Sequence, residues 1–144
     1  MWSDTLLLAE RAALLRLAMW AAASVVAGTA VFALLAVRRM RSPLLDGFAL
    51  QMVIWGTIGV ARVLEGMGAL TPRDLSAATR LDRWVWLLTG LDVGLVAVGA
   101  TVAITGWLLG RRLGVIGAGI GVIVQGAALF ALDARFATIL SGLV

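Results

Sequence analysis

The chain contains no cysteine and no histidine, its 12 basic residues are all arginine, tyrosine is absent, and proline occurs only twice. Without cysteine there is no disulfide, thiolate nucleophile, iron–sulfur ligand or zinc ribbon, and without histidine most metal and haem chemistry goes as well. A carboxylate, an amide or the backbone is all that remains to hold a cofactor, and none is expected. Charge is scarce too: 14% of the 144 residues are charged and 62% are hydrophobic. Soluble domains are about half apolar and about a quarter charged, so the composition is that of an integral membrane protein. The net charge of +4 is modest and its basic residues gather in loops, which argues against nucleic-acid binding.

What the chain has is long apolar runs. The central one is Trp84 to Leu109, whose only charge is Asp92. From Val93 to Gly110 there is no charge at all, which reaches the length of about 18 residues at which a run reads as membrane-spanning. Leu17 to Val37 is likewise uncharged. It is too long for the apolar part of a signal peptide, and the residues before it lack the expected positive charge, so no cleavage is expected. Ser3 or Asp4 is the expected cap of a helix that continues directly into this first span.

Arg38, Arg39 and Arg41 close the first span, and Ser42-Pro43 opens a second helix, because serine caps well and proline is tolerated at the first helical position. Thr71-Pro72-Arg73-Asp74 reads as a capping box at the head of a third helix that runs unbroken to Leu109. That helix would be roughly 57 Å long, so its first turns must stand outside a hydrocarbon layer of roughly 30 Å. Gly110 to Gly114 is a tight basic turn into a glycine-rich fourth helix. The expected fold is all-α: a transmembrane four-helix bundle of two antiparallel hairpins in one domain, with spans near 17–37, 47–68, 84–109 and 114–134. Trp2, Trp20, Trp84, Trp86 and Trp107 fall towards the ends of the runs, where indole rings anchor at the membrane boundary. A bilayer is therefore the first expected partner. Loops 38–46 and 110–113 are expected in the cytoplasm by the positive-inside rule, although Arg11, Arg16, Arg73, Arg80 and Arg83 lie on the other side.

Polar residues inside the spans are the candidate site. In the second helix Gln51, Trp55, Ile58, Arg62 and Glu65 share one face, which should look inward. Gly56, Gly59 and Gly66 lie on a different stripe, and Gly117, Gly121 and Gly126 recur in the fourth helix; these are expected to bring helices close together. Counted from the basic turns, Arg16, Arg62, Glu65, Asp92, Asp133 and Arg135 all reach a level roughly 27 to 33 Å away. Three arginines and three acids from four helices should therefore meet, balanced in charge as a low dielectric requires. Such a network is either a structural lock on helix register or the mouth of a polar pocket or proton path with Asp92 or Asp133 titrating. Gln51 and Gln125 lie nearer the midplane, where they would extend the network or act as interhelical glue. No Ser-His-Asp set, carboxylate pair at helix spacing or metal-binding motif occurs.

Phe48 to Val63, Gly90 to Ala100 and Gly117 to Asp133 together resemble a family of uncharacterised small four-helix bacterial membrane proteins, a domain of unknown function. The residues carrying the likeness are Leu91-Asp92, Gln125-Gly126 with Asp133, and Gln51 with Trp55. The chain departs from that pattern at Gly56 and Gly59, where asparagine is expected near Trp55, and at Leu95, where an aromatic residue is expected. The resemblance implies the topology and no activity. The expected role is a structural or accessory protein of the inner membrane, associating with itself or with a larger membrane complex. The alternative is a small oligomeric transporter or channel with the charged cluster as its vestibule.

Overall fold

A computed structural model describes residues 2–143, apart from the side chain of Trp2. Helix α1 spans Trp2–Val37, α2 Pro43–Gly68, α3 Leu75–Leu108 and α4 Leu113–Ser141, and the described residues contain no strand. All four helices are long and apolar enough to cross a membrane. The 36 residues of α1 and the 34 of α3 give lengths of about 50–54 Å, well beyond a hydrocarbon layer of about 30 Å. Both helices overshoot at the end opposite the basic turns.

The helices form two antiparallel hairpins, α1 with α2 and α3 with α4, joined mainly along α2 and α4. Helix α4 packs on all three others, whereas the backbone of α3 approaches only α4. The reason is the glycine content of α4. Gly117, Gly119, Gly121 and Gly126 are buried, and without side chains there the neighbouring backbones come within contact distance. A Cβ on Gly117 would run into the carbonyl of Leu44, and one on Gly47 into the carbonyl of Gly114. A Cβ on Gly119 would stand 2.7 Å from the carbonyl oxygen of Gly99, and one on Gly126 2.9 Å from the amide nitrogen of Val96. Gly121 makes room for the side chain of Gln51, and in the first hairpin Gly56 and Gly59 lie against Ala21.

Helix boundaries follow their caps. Ser42 is the N-cap of α2, accepting from the Leu45 amide, with Pro43 next. At the head of α3 the cap is Asp74, three residues later than the expected Thr71: its Oδ1 accepts from the Ala77 amide at 2.7 Å and from the Ser76 hydroxyl at 2.9 Å. Aspartate caps better than threonine, and the preceding Arg73 is drawn away to an acid on α1. Because it accepts these bonds, the Asp74 carboxyl is held below the ordinary carboxylate range. Ser3 and Asp4, expected as caps, lie inside α1, which is already helical at Trp2.

Both basic turns end their helices through left-handed backbone, in one residue at the first and in two, Gly110 and Arg111, at the second. Arg39 and Arg111 adopt left-handed backbone with φ of 50° and 55°. The Met40 amide reaches back to the Leu35 carbonyl, the pattern that terminates many helices, and the Arg112 amide closes a turn one residue wider on the Gly106 carbonyl. Arg111 then stacks its guanidinium over Trp107, 4.7 Å from the ring centroid.

The polar face of α2 is a correction to the sequence reading. Its buried stripe is Ala49, Met52, Gly56, Gly59 and Val63; Gln51, Trp55 and Arg62 are half-buried on its flank, while Ile58 and Glu65 are exposed. Small residues win the inside position because they allow backbone contact with α1. Among the tryptophans Trp107 is exposed at the end of α3, while Trp84 and Trp86 are exposed within it, where the apolar run begins. Trp20 is half-buried and serves a partner inside the bundle. The anchoring expected of Trp2 falls on a side chain outside the described residues.

Candidate functional site

Away from the basic turns the glycines thin out and the helices separate. At the end of the bundle Leu6, Ala78, Val85, Phe136, Ala137 and Leu140 form an apolar cluster of α1, α3 and α4. Closer to the middle Leu17, Val63 and Leu129 form a second. Between these lies a cavity of about 530 Å³, whose walls include Arg16 and Glu10 of α1, Arg62 and Glu65 of α2, Arg73 of the α2–α3 loop and Asp133 of α4. Its volume is in the range of small-molecule sites.

Two ion pairs organise the cavity. Arg73 grips Glu10 with two bonds, Nη2 to Oε1 at 2.7 Å and Nε to Oε2 at 3.0 Å. This fork raises the affinity of the Arg73 guanidinium for its proton, mainly through the hydrogen bond to Glu10. It also ties the loop to α1, with Glu10 only 7% exposed. The second pair, Arg62 with Asp133, is longer at 3.4 Å.

Next to Asp133 lies Asp92, near enough for the two carboxyl groups to act on each other. Asp92 is 6% exposed, and its Oδ2 is buried with no hydrogen-bond partner. A smaller cavity of about 270 Å³ opens beside it in the groove between α2 and α3, lined by Trp55, Ile58, Gly59, Arg62, Leu91 and Leu95 among others. Arg62 and Leu88 line both spaces, so the groove adjoins the larger cavity.

Of the residues expected to form one network, the structure brings five around these two spaces: Arg16, Arg62, Glu65, Asp92 and Asp133. Arg135 is exposed on α4, outside both, because its position two residues after Asp133 turns it to the other side of the helix. The two glutamines are separate from the charges. Gln125 accepts from Trp20 Nε1 at 2.9 Å and donates to Ser24 Oγ at 3.0 Å and Met52 Sδ at 3.2 Å. It thereby links α4 to α1 and α2 in the buried middle of the bundle. Gln51 accepts from Trp55 Nε1 one turn away on the same helix, at 3.2 Å.

Sequence reasoning missed Glu10, Arg73, Trp20 and Ser24. For Glu10 and Arg73 a signal existed: each is an acid or a base in the overshooting parts of the chain, on the same side of the membrane. The partnership of Trp20 with Gln125 had none, since the two are 105 residues apart. Among the described residues no three acids are grouped as metal ligands.

Four membrane-length helices with a charged cavity at one end define a multi-pass α-helical membrane protein. The family of unknown function DUF6992 matches residues 16–134, and the chain belongs to that family. The match covers Arg16 to Asp133 of the cluster and stops before Arg135. No curated protein and no solved structure matches the chain.

Proposed function

We propose that this protein is a structural or accessory component of the bacterial inner membrane, associating with itself or with a larger membrane complex through the outer face of α3. The observation that carries this reading is the isolation of α3, whose backbone approaches α4 alone. Its opposite face exposes Gly90, Gly94, Ala97 and Thr101, residues at helical spacing, and a Cβ on Gly90 or Gly94 would meet nothing within 4 Å. Small residues on one stripe are what lets helices approach in lipid. The other glycines expected to promote association, Gly56, Gly59, Gly117, Gly121 and Gly126, are used up inside the bundle. In this reading loops 38–46 and 110–113 face the cytoplasm, in keeping with their arginines.

The test is to count chains per particle after extraction into nanodiscs directly from the native membrane. Wild type should appear with at least one further chain, and Gly90→Ile with Gly94→Ile should appear alone while remaining folded. A wild-type protein that appears as a single chain would overturn the reading. A second reading, an oligomeric transporter or channel, is favoured by the closeness of the charged cavity to the groove at Asp92. Four helices are few to enclose a path, so it too needs association.

A further inference from the structure

We propose that the groove between α2 and α3 binds the ammonium group of a lipophilic cation, held by the carboxylate of Asp92 beside the indole ring of Trp55. The site does not depend on how the chain associates.

Charge balance is the first argument. Asp92 has Asp133 facing it from α4 and Arg62 from α2, and Arg62 is engaged by Asp133. Farther out, at the larger cavity, stand Arg16 of α1 and Glu65 of α2, which offset one another. Helix α3 contributes no other charge within three turns on the span side of Asp92 and none nearer than Arg83 on the other. The cluster therefore holds three carboxylates against two guanidiniums. One negative charge in excess, buried where water is scarce, is costly unless a proton or a cation meets it.

Shape and lining choose the kind of cation. Oδ2 of Asp92 is buried and has no partner, so one acceptor is left over for a ligand. The groove has room for about nine groups of the size of water. Apart from Asp92 and Arg62 its lining is apolar or aromatic: Trp55, Ile58, Leu91, Leu95 and Leu129. The Trp55 indole is tied by its N–H to Gln51, which orients the ring. Indole is the aromatic face that best attracts an ammonium group. A hydrated metal ion would find too few oxygens here, whereas an amphiphile would put its cationic head at Asp92 and its chain among the leucines. Because α2 and α3 do not touch through their backbones, such a molecule enters sideways from the bilayer.

A proton on the Asp92 carboxylate is the other way to meet the excess charge. Binding replaces it: the carboxylic acid releases its proton to water, and the carboxylate so formed pairs with the ammonium group. No other bond is made or broken.

The test uses the full chain in nanodiscs of phosphatidylglycerol, which has no amine, with isotopically labelled dodecyltrimethylammonium as the probe. Wild type should bind one equivalent saturably, and below the titration of Asp92 the affinity should fall about tenfold per pH unit through proton competition. Asp92→Asn should weaken binding at least tenfold, Asp92→Glu should retain it, and Trp55→Leu should weaken it several-fold. If the Asn variant fails to fold, the Glu and Leu variants carry the test. Competition by added phosphatidylethanolamine would identify a lipid amine as the source of the headgroup, and lack of competition would identify a free amphiphilic amine. Both outcomes support the site. It is overturned if dodecanol displaces the probe as well as unlabelled probe does, if affinity ignores pH, or if a folded Asp92→Asn protein binds like wild type.

Discussion

The two ends of this bundle are made from the same four helices and are packed in opposite ways. Towards the basic turns, glycines at Gly47, Gly99, Gly106, Gly117 and Gly119 let backbones touch, and no charge lies between the helices. At the other end the glycines are sparse: a Cβ on Gly90, Gly94 or Gly68 would meet nothing within 4 Å. There, charged side chains and a cavity of about 530 Å³ occupy the space. The difference teaches how a membrane bundle without a hydrophobic driving force between its helices divides its labour. Dispersion contacts hold the closed end, and the open end keeps charges that would be intolerable among touching backbones.

Steric insertion at the closed end should break the comparison most severely. Gly117→Val drives a side chain into the Leu44 carbonyl and should cost about 3 kcal/mol or more, read as lost yield of folded protein and a lower Tm in detergent. Gly94→Ala, where space is open, should instead stabilise α3 by about 0.5–1 kcal/mol. Equal destabilisation by the two would deny the asymmetry.

Next in size is the buried junction between the two ends. Gln125→Leu leaves the Trp20 N–H without its acceptor and Ser24 without its donor, for an expected loss of about 1–3 kcal/mol. The Trp20 emission should shift as its hydrogen bond is lost, and an unchanged melting temperature would argue against the junction.

At the open end the strongest tie is Glu10 with Arg73. A double-mutant cycle with alanine at both positions should return a coupling of about 1 kcal/mol, since the pair is forked but partly reached by water. A coupling of zero would leave the α2–α3 loop unanchored.

The smallest effect is at the cap of α3. The Asp74 carboxyl is held below its ordinary range by the Ala77 and Ser76 bonds. Its contribution is therefore complete above the range in which an unfolded aspartate titrates, and it is lost as the pH falls through the lower folded value. Asp74→Asn, which still caps, should flatten this acid-side part of the stability curve while changing the neutral-pH melting temperature little. A variant with the same acid profile as wild type would remove Asp74 from the account.

Much of the closed end was legible in the chain. Apolar runs of spanning length, Ser42-Pro43, the two arginine turns and the glycine repeats of α4 are local signals, each acting within a few residues. The level of the charges was legible too, because helical rise converts residue number into depth. Rotation about the helix axis was harder to read. Arg135 shares the level of Asp133 but points away, and the polar face of α2 yields the inside to Gly56 and Gly59. The choice between Thr71 and Asp74 as cap depended on Arg73 being drawn to Glu10, a residue 63 positions away.

Sequence alone determined the class, the number of spans, the antiparallel hairpins and the depth at which charges collect, because length, hydropathy and helical rise are properties of single segments. The tertiary structure alone decided that α4 is the hub and that Gln125 answers Trp20 and Ser24. It also decided that Asp92 stands next to Asp133 with one oxygen unpaired, beside a groove that α2 and α3 leave open. Those facts depend on which helix faces meet, and that is set by how closely backbones can approach, a property of pairs of helices and not of any one.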